Sequence, residues 1–165
     1  MRLGFDGRRL VAEAVGTFML VFVGPGTAAV AAWGHRDPGV AVGLAFGLVI
    51  LAAVYALGHI SGAHLNPAIT VGFCLSGCFP LAELLPYFGA QLFGGSLAAL
   101  ALRLILGDAA GASATVLAVS PLTGLGVEIV LTFFLMLVVM AVATDARVAG
   151  PVAGVAVGST VASAR

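Results

Sequence analysis

Few residues in this chain could do chemistry, and each of them is isolated. Three carboxylates stand alone in long apolar windows: Glu13 in 11–33, Glu83 in 39–102 and Glu128 in 109–144. A pair of buried carboxylates can relay protons or share general acid and base work. Nothing accompanies these to complete such a site, since the sequence has no nucleophile beside a base, no metal-ligand cluster and no phosphate-binding glycine loop. Cys74 and Cys78 form a C-x3-C pair without further ligands at metal spacing, so they read as buried thiols, and neither a metal nor a cofactor is implied. The most specific local signal is Asn66-Pro67. Asn is a preferred helix cap and Pro a preferred first helical residue, so a helix should begin there. A helix start presents about half a positive charge and free N–H groups, which attract dipoles and oppose cations.

The elements that must position these residues follow from composition. Of 165 residues, 61% are hydrophobic and 8% charged, and the net charge is zero. A soluble domain carries roughly 25% charged residues, so a water-facing surface could not be covered. The chain therefore reads as an all-α membrane protein with the bilayer as its partner. All seven basic residues are Arg and none form a run longer than Arg8-Arg9, which excludes nucleic-acid binding. A hydrocarbon core of ~30 Å needs ~20 apolar residues per helix. Turn and breaker residues then place spans near 10–33, 39–58, 81–106 and 121–143, with a fifth apolar segment over 148–165. Glu83, at the start of the third span, is expected to serve its own helix N-terminus. The stretch 59–65 is polar and non-periodic, and the run 66–77 spans roughly 16 Å as a helix, about half a bilayer. A half-length helix behind a polar loop reads as a re-entrant segment, tolerated at that depth only against protein or a watery cavity.

Aligning Glu13 with Glu128 also brings Thr17 onto Thr132, Phe18 onto Phe133 and Leu20 onto Leu135, and Gly39-Val40-Ala41-Val42-Gly43 onto Gly154-Val155-Ala156-Val157-Gly158. The chain thus contains a duplicated unit. With three spans in the first copy, the second is inverted across the bilayer, a plan common among channels and transporters. The first repeat covers 1–106, an extracytoplasmic connection 107–120, and an incomplete second repeat 121–165. Arg2, Arg8, Arg9 and Arg147 outweigh Arg36 and Arg103, favouring a cytoplasmic N-terminus. Gly39, Gly43 and Gly47 recur every fourth residue, as do Gly150, Gly154 and Gly158, so these two faces should pack closely across the repeat axis.

The run Ser61-Gly62-Ala63-His64-Leu65-Asn66-Pro67-Ala68-Ile69-Thr70-Val71-Gly72 resembles the first Asn-Pro-Ala box of the aquaporin, or major intrinsic protein, family at every position of its signature. The resemblance extends to Ala12-Glu13-Ala14-Val15-Gly16-Thr17-Phe18, Ala45-Phe46-Gly47-Leu48 and Tyr87-Phe88-Gly89-Ala90-Gln91, covers about 10–158, and looks closest to bacterial water-selective members of the aquaporin Z kind. It implies a water pore between two inverted repeats, where half-helices meet at the midplane through Asn66, Pro67 and Ala68 and their counterparts. The backbone carbonyls of Gly62, Ala63, His64 and Leu65 would line one half of the pore. Phe46 would belong to the outer constriction, where glycerol facilitators usually carry Trp. Glu13 and Glu128 would brace the re-entrant loops. A homotetramer in the cell membrane is the family's expectation.

A complete member would add a second Asn-Pro-Ala box, a filter arginine and a sixth helix, and the repeat partner of Asn66 would lie beyond Arg165. The second repeat therefore reads as truncated in its second span, Arg165 falls near a filter position of the fifth helix, and residues 1–165 alone are not expected to conduct. Two alternatives remain at this point. One is a facilitator of glycerol or other small neutral solutes. The other is a non-conducting membrane subunit or membrane-embedded enzyme built on Glu13 and Glu128.

Overall fold

A computed structural model of the chain describes residues 6–35, 37, 39–113, 119–144 and 152–163. Six helices account for most of them: α1 Gly7–Trp33, α2 Gly39–Ser61, α3 Pro67–Leu75, α4 Leu84–Leu106, α5 Pro121–Thr144 and α6 Ala153–Ser163. No strand occurs among the described residues. Four helical stretches, Gly7–Trp33, Gly39–Ser61, Leu81–Gly111 and Pro121–Thr144, are long and apolar enough to cross a membrane. Gly150, Arg147 and Arg165, which the sequence reading used, lie outside the described residues, as does the expected start of the fifth segment at 148.

Local chemistry sets the helix ends. The Asp6 carboxylate accepts from the Arg8 N–H at 3.0 Å and caps α1. Asp37 does the same for the Gly39 N–H at 3.0 Å where α2 begins. Ser120 precedes Pro121 at the start of α5 and accepts from the Thr123 N–H at 3.2 Å. Between α3 and α4 a 3-10 turn, Leu81–Glu83, precedes the regular helix, and a longer 3-10 stretch, Gly107–Ser113, follows it where the sequence suggested only a loop. Gly107, at φ +60°, ends α4, and the Arg103 side chain donates to its carbonyl and pairs with Asp108 at 2.6 Å.

α1 packs against α4 and α2, and α2 against α6. The approaches are backbone to backbone. A Cβ on Gly94 of α4 would overlap the Ala14 carbonyl of α1. One on Gly47 would sit 2.5 Å from the Gly158 carbonyl, and one on Gly158 at 2.5 Å from that of Gly47. With lipid as solvent, apolar burial gains little, so contact of this closeness supplies the packing energy. Gly154 completes the α2–α6 contact against Leu51 and Tyr55, and Gly43 is buried. Gly39 corrects the expected stripe. It is exposed at the start of α2, with Asp37 as its neighbour, because its amide serves the helix cap there. Large apolar side chains such as Leu85, Leu104 and Leu122 point outward, as a surface facing lipid requires.

Candidate functional site

The site is built where α2 stops and the chain turns back on itself. Gly62, Ala63 and Leu65 have φ of +89°, +48° and +53°. For Ala63 and Leu65 this left-handed geometry costs roughly 1–2 kcal/mol each. One buried group over-determines it. The Glu13 carboxylate, fully buried in α1, accepts four hydrogen bonds: from Ser61 Oγ at 2.6 Å, the His64 N–H at 3.0 Å, the Leu65 N–H at 2.7 Å and Gln91 Nε2 at 2.8 Å. A buried carboxylate is costly unless paired in this way, and here the compensating donors belong to the turn itself.

Holding those amides also orients the carbonyls. A trans peptide points its C=O away from its N–H, so the Ala63 and His64 carbonyls face away from Glu13. Residues 62–66 line a cavity of about 130 Å³, walled otherwise by apolar side chains including Val54, Val139 and Val157. That is room for several waters. Leu65 departs from the expected row of free acceptors, because its carbonyl accepts from Thr17 Oγ1 at 3.2 Å and is turned toward α1.

Asn66 ends the turn and starts α3. Its Oδ1 accepts from the Ala68 N–H at 2.8 Å, Pro67 fills the first helical position, and the residue is exposed at the cavity. The capping oxygen leaves the amide NH2 as a donor toward that space. Nine residues make α3 about 14 Å long, roughly half the thickness of a bilayer core, and its positive end opens on the cavity that Asn66 lines.

A second polar junction fixes the cap. Thr70 Oγ1 donates to the Asn66 carbonyl at 3.0 Å and accepts from Gln91 Nε2 at 3.0 Å. His64 Nδ1 lies 3.2 Å from the same oxygen. With the Thr70 proton donated to Asn66, the Thr70 oxygen is an acceptor for the tautomer that carries its hydrogen on Nδ1. The ring is buried: it stacks on Phe73 at 4.6 Å, meets Phe79 edge-on at 4.7 Å and leans on Tyr87 at 5.3 Å. The Tyr87 hydroxyl donates to the Ser61 carbonyl at 2.8 Å, tying α4 to the end of α2.

Other expected residues fall elsewhere. The Phe46 ring occupies the space where a Gly24 side chain would stand, seated on α1. Glu128 is exposed on α5 without a hydrogen-bond partner among the described residues, so it shares no site with Glu13. Glu83 is a correction. It makes no bond to its own helix start and instead pairs with Arg9 of α1. The cysteines are a second correction: Cys78 is exposed and Cys74 half-buried, both free. No group of three potential metal ligands occurs among the described residues. Arg9, Ser61, Thr70 and Gln91 were not singled out as site residues from sequence. The available signal was Gln91, a lone amide within an otherwise apolar span.

The profile of the Major intrinsic protein family matches residues 3–164. The chain is 42% identical over 167 residues to Aquaporin NIP1-2 of Arabidopsis thaliana, covering 93% of this chain and 55% of that protein. It is 39% identical over 178 residues to the probable aquaporin AqpM of Archaeoglobus fulgidus, covering 93% and 72%. Its fold matches the X-ray structure of the aquaglyceroporin from Plasmodium falciparum with a TM-score of 0.77 at 26% identity, over 96% of this chain and 69% of that one. The chain spans about half the length of the first plant relatives it matches. A capped half-helix re-entering an apolar bundle, with the family profile running nearly end to end, makes this chain a member of the major intrinsic protein family of membrane channels, and not an enzyme.

Proposed function

We propose that this chain forms one half of a passive transmembrane pore for water, in which the second half-helix of the inverted plan is indispensable. The observation that carries this reading is Asn66: it caps α3 with its carbonyl oxygen while its amide meets a cavity lined by the backbone of residues 62–66. In that position the NH2 donates to a passing water while the Ala63 and His64 carbonyls accept from it. The α3 dipole sets a positive potential at the same point, which orients water and opposes protons and other cations. Glu13 acts as the brace that keeps the donor and acceptors in place. Pro67 and Ala68 set the first turn of the half-helix. Glu128, the repeat partner of Glu13, takes the same task for a second re-entrant loop. The N-terminus lies in the cytoplasm of a cell-membrane protein, and the assembled channel is a homotetramer.

A second reading, conduction of glycerol or similar neutral solutes, draws support from the fold match to an aquaglyceroporin. Phe46 favours water by the family resemblance alone, since glycerol facilitators usually carry Trp at the matching position.

Stopped-flow shrinkage of vesicles tests both. Residues 1–165 alone should give no excess water permeability over empty vesicles. Fusing them to the part of the Archaeoglobus relative that they do not match should give rapid water flux, with glycerol flux near background. Asn66→Ala in the fusion should cut water flux several-fold. Fast flux from 1–165 alone would refute the need for a second half, and flux unaffected by Asn66→Ala would refute the role of the cap.

A further inference from the structure

Arg9 lies four residues, one helical turn, before Glu13 on α1, so the two side chains share a face. Its guanidinium carbon stands 5.4 Å from the Phe79 ring centre and 5.3 Å from that of Tyr87, and Glu83 pairs with it. Both rings also pack on His64, and they meet each other edge-on at 4.6 Å. Phe79 is held there because α3 ends in a tight reversal: Gly77 takes φ +74°, and the Cys78 and Phe79 amides both donate to the Phe73 carbonyl at 2.9 and 3.1 Å. The cation therefore sits against two rings that both pack on the His64 imidazole, and Glu13 holds the backbone amide of that same residue.

We propose that Arg9 is a positioning residue for the re-entrant segment: clamped by Glu83, it holds Phe79 and Tyr87 against His64 and so keeps residues 62–66 in the geometry that presents Asn66. A simple staple between α1 and α4 would be redundant here, because Gly94 already lies directly on the Ala14 backbone. The aromatic pile, in contrast, packs on His64 ring surface that neither Glu13, bound to the backbone amide, nor Thr70, at Nδ1, touches. The inference rests on the channel reading for its functional meaning.

Its test is hydrogen–deuterium exchange on the full 165-residue chain in detergent micelles, comparing peptides over 61–70 with peptides over 90–102. Arg9→Gln should speed exchange in 61–70 by about tenfold and leave 90–102 within about twofold of the parent. Arg9→Lys, which keeps a cation over the rings, should return 61–70 to nearly the parental rate. Arg9→Glu combined with Glu83→Arg rebuilds an ion pair but sets a carboxylate over the ring faces, and should exchange as fast as Arg9→Gln. Unchanged exchange over 61–70, equal acceleration of both regions, or full restoration by the charge swap overturns the proposal. Should Arg9→Gln fail to fold, Glu83→Gln is read the same way, with about threefold acceleration expected over 61–70 and none overturning the proposal. Exchange does not depend on flux. A fusion channel that carries no water while the exchange results hold would defeat the channel reading and leave the clamp standing.

Discussion

Glu13 and Glu128 occupy matching places in the two repeats, yet their surroundings differ completely. Glu13 is fully buried under four donors, whereas Glu128 lies exposed on α5 with no partner among the described residues. The helices differ in the same direction: 28% of α1's most apolar window is buried, against 11% of α5's. The difference teaches what a carboxylate in a span requires. A folded-back loop, offering unpaired amides at the right depth, turns an expensive charge into the organiser of a site. On α5 no described segment lies against Glu128, and the carboxylate there has no such donors around it.

Mutating the two positions breaks or sharpens that comparison most strongly. Glu13→Gln replaces a four-bond acceptor with an amide whose NH2 faces other donors. It should cost on the order of 3 kcal/mol and lower the melting point in detergent by roughly 5–10 °C. Glu128→Gln should leave melting unchanged. Equal losses at both sites would mean that the loop's donors do not distinguish them.

Glycines give the next contrast. Gly94→Ala pushes a methyl into the Ala14 backbone, and about 1–3 kcal/mol of destabilisation is expected from such overpacking. Gly126→Ala on α5 meets nothing within 4 Å and should be neutral or slightly stabilising through helix propensity. Circular dichroism melts of the pair decide it. Smaller still is Asn66→Ala, which removes one cap and should cost ~1 kcal/mol in chemical unfolding. The smallest effect is expected at Ala63→Gly, where relief of the positive φ should recover up to about 1 kcal/mol. A loss of stability there would show that the Ala63 methyl has a packing role.

The parts of this structure that were legible in the sequence are those governed by short-range rules. Asn66 and Pro67 announce a helix start in two adjacent residues, and the lone charges announce the spans. The glycine spacing foretold a close α2–α6 contact, which Gly47 and Gly158 make, but could not tell that Gly39 serves a cap instead. Glu83 was misread because the local rule for an acidic residue at a helix start lost to Arg9, which is 74 residues away in the chain. Thr70 and Gln91 carry no local signature as partners. Only the crossing of α4 over α1 and α3 brings them together, and that crossing depends on Gly94, a residue nothing in the sequence marked as special.

Thr70 contributes a single oxygen, and that oxygen is a crossroads for backbone, ring and amide. One codon change to a β-branched hydrocarbon would silence three conversations at once while barely altering the side chain's shape. Serine could keep all three going, so tolerance at this position should follow the hydroxyl and ignore the volume.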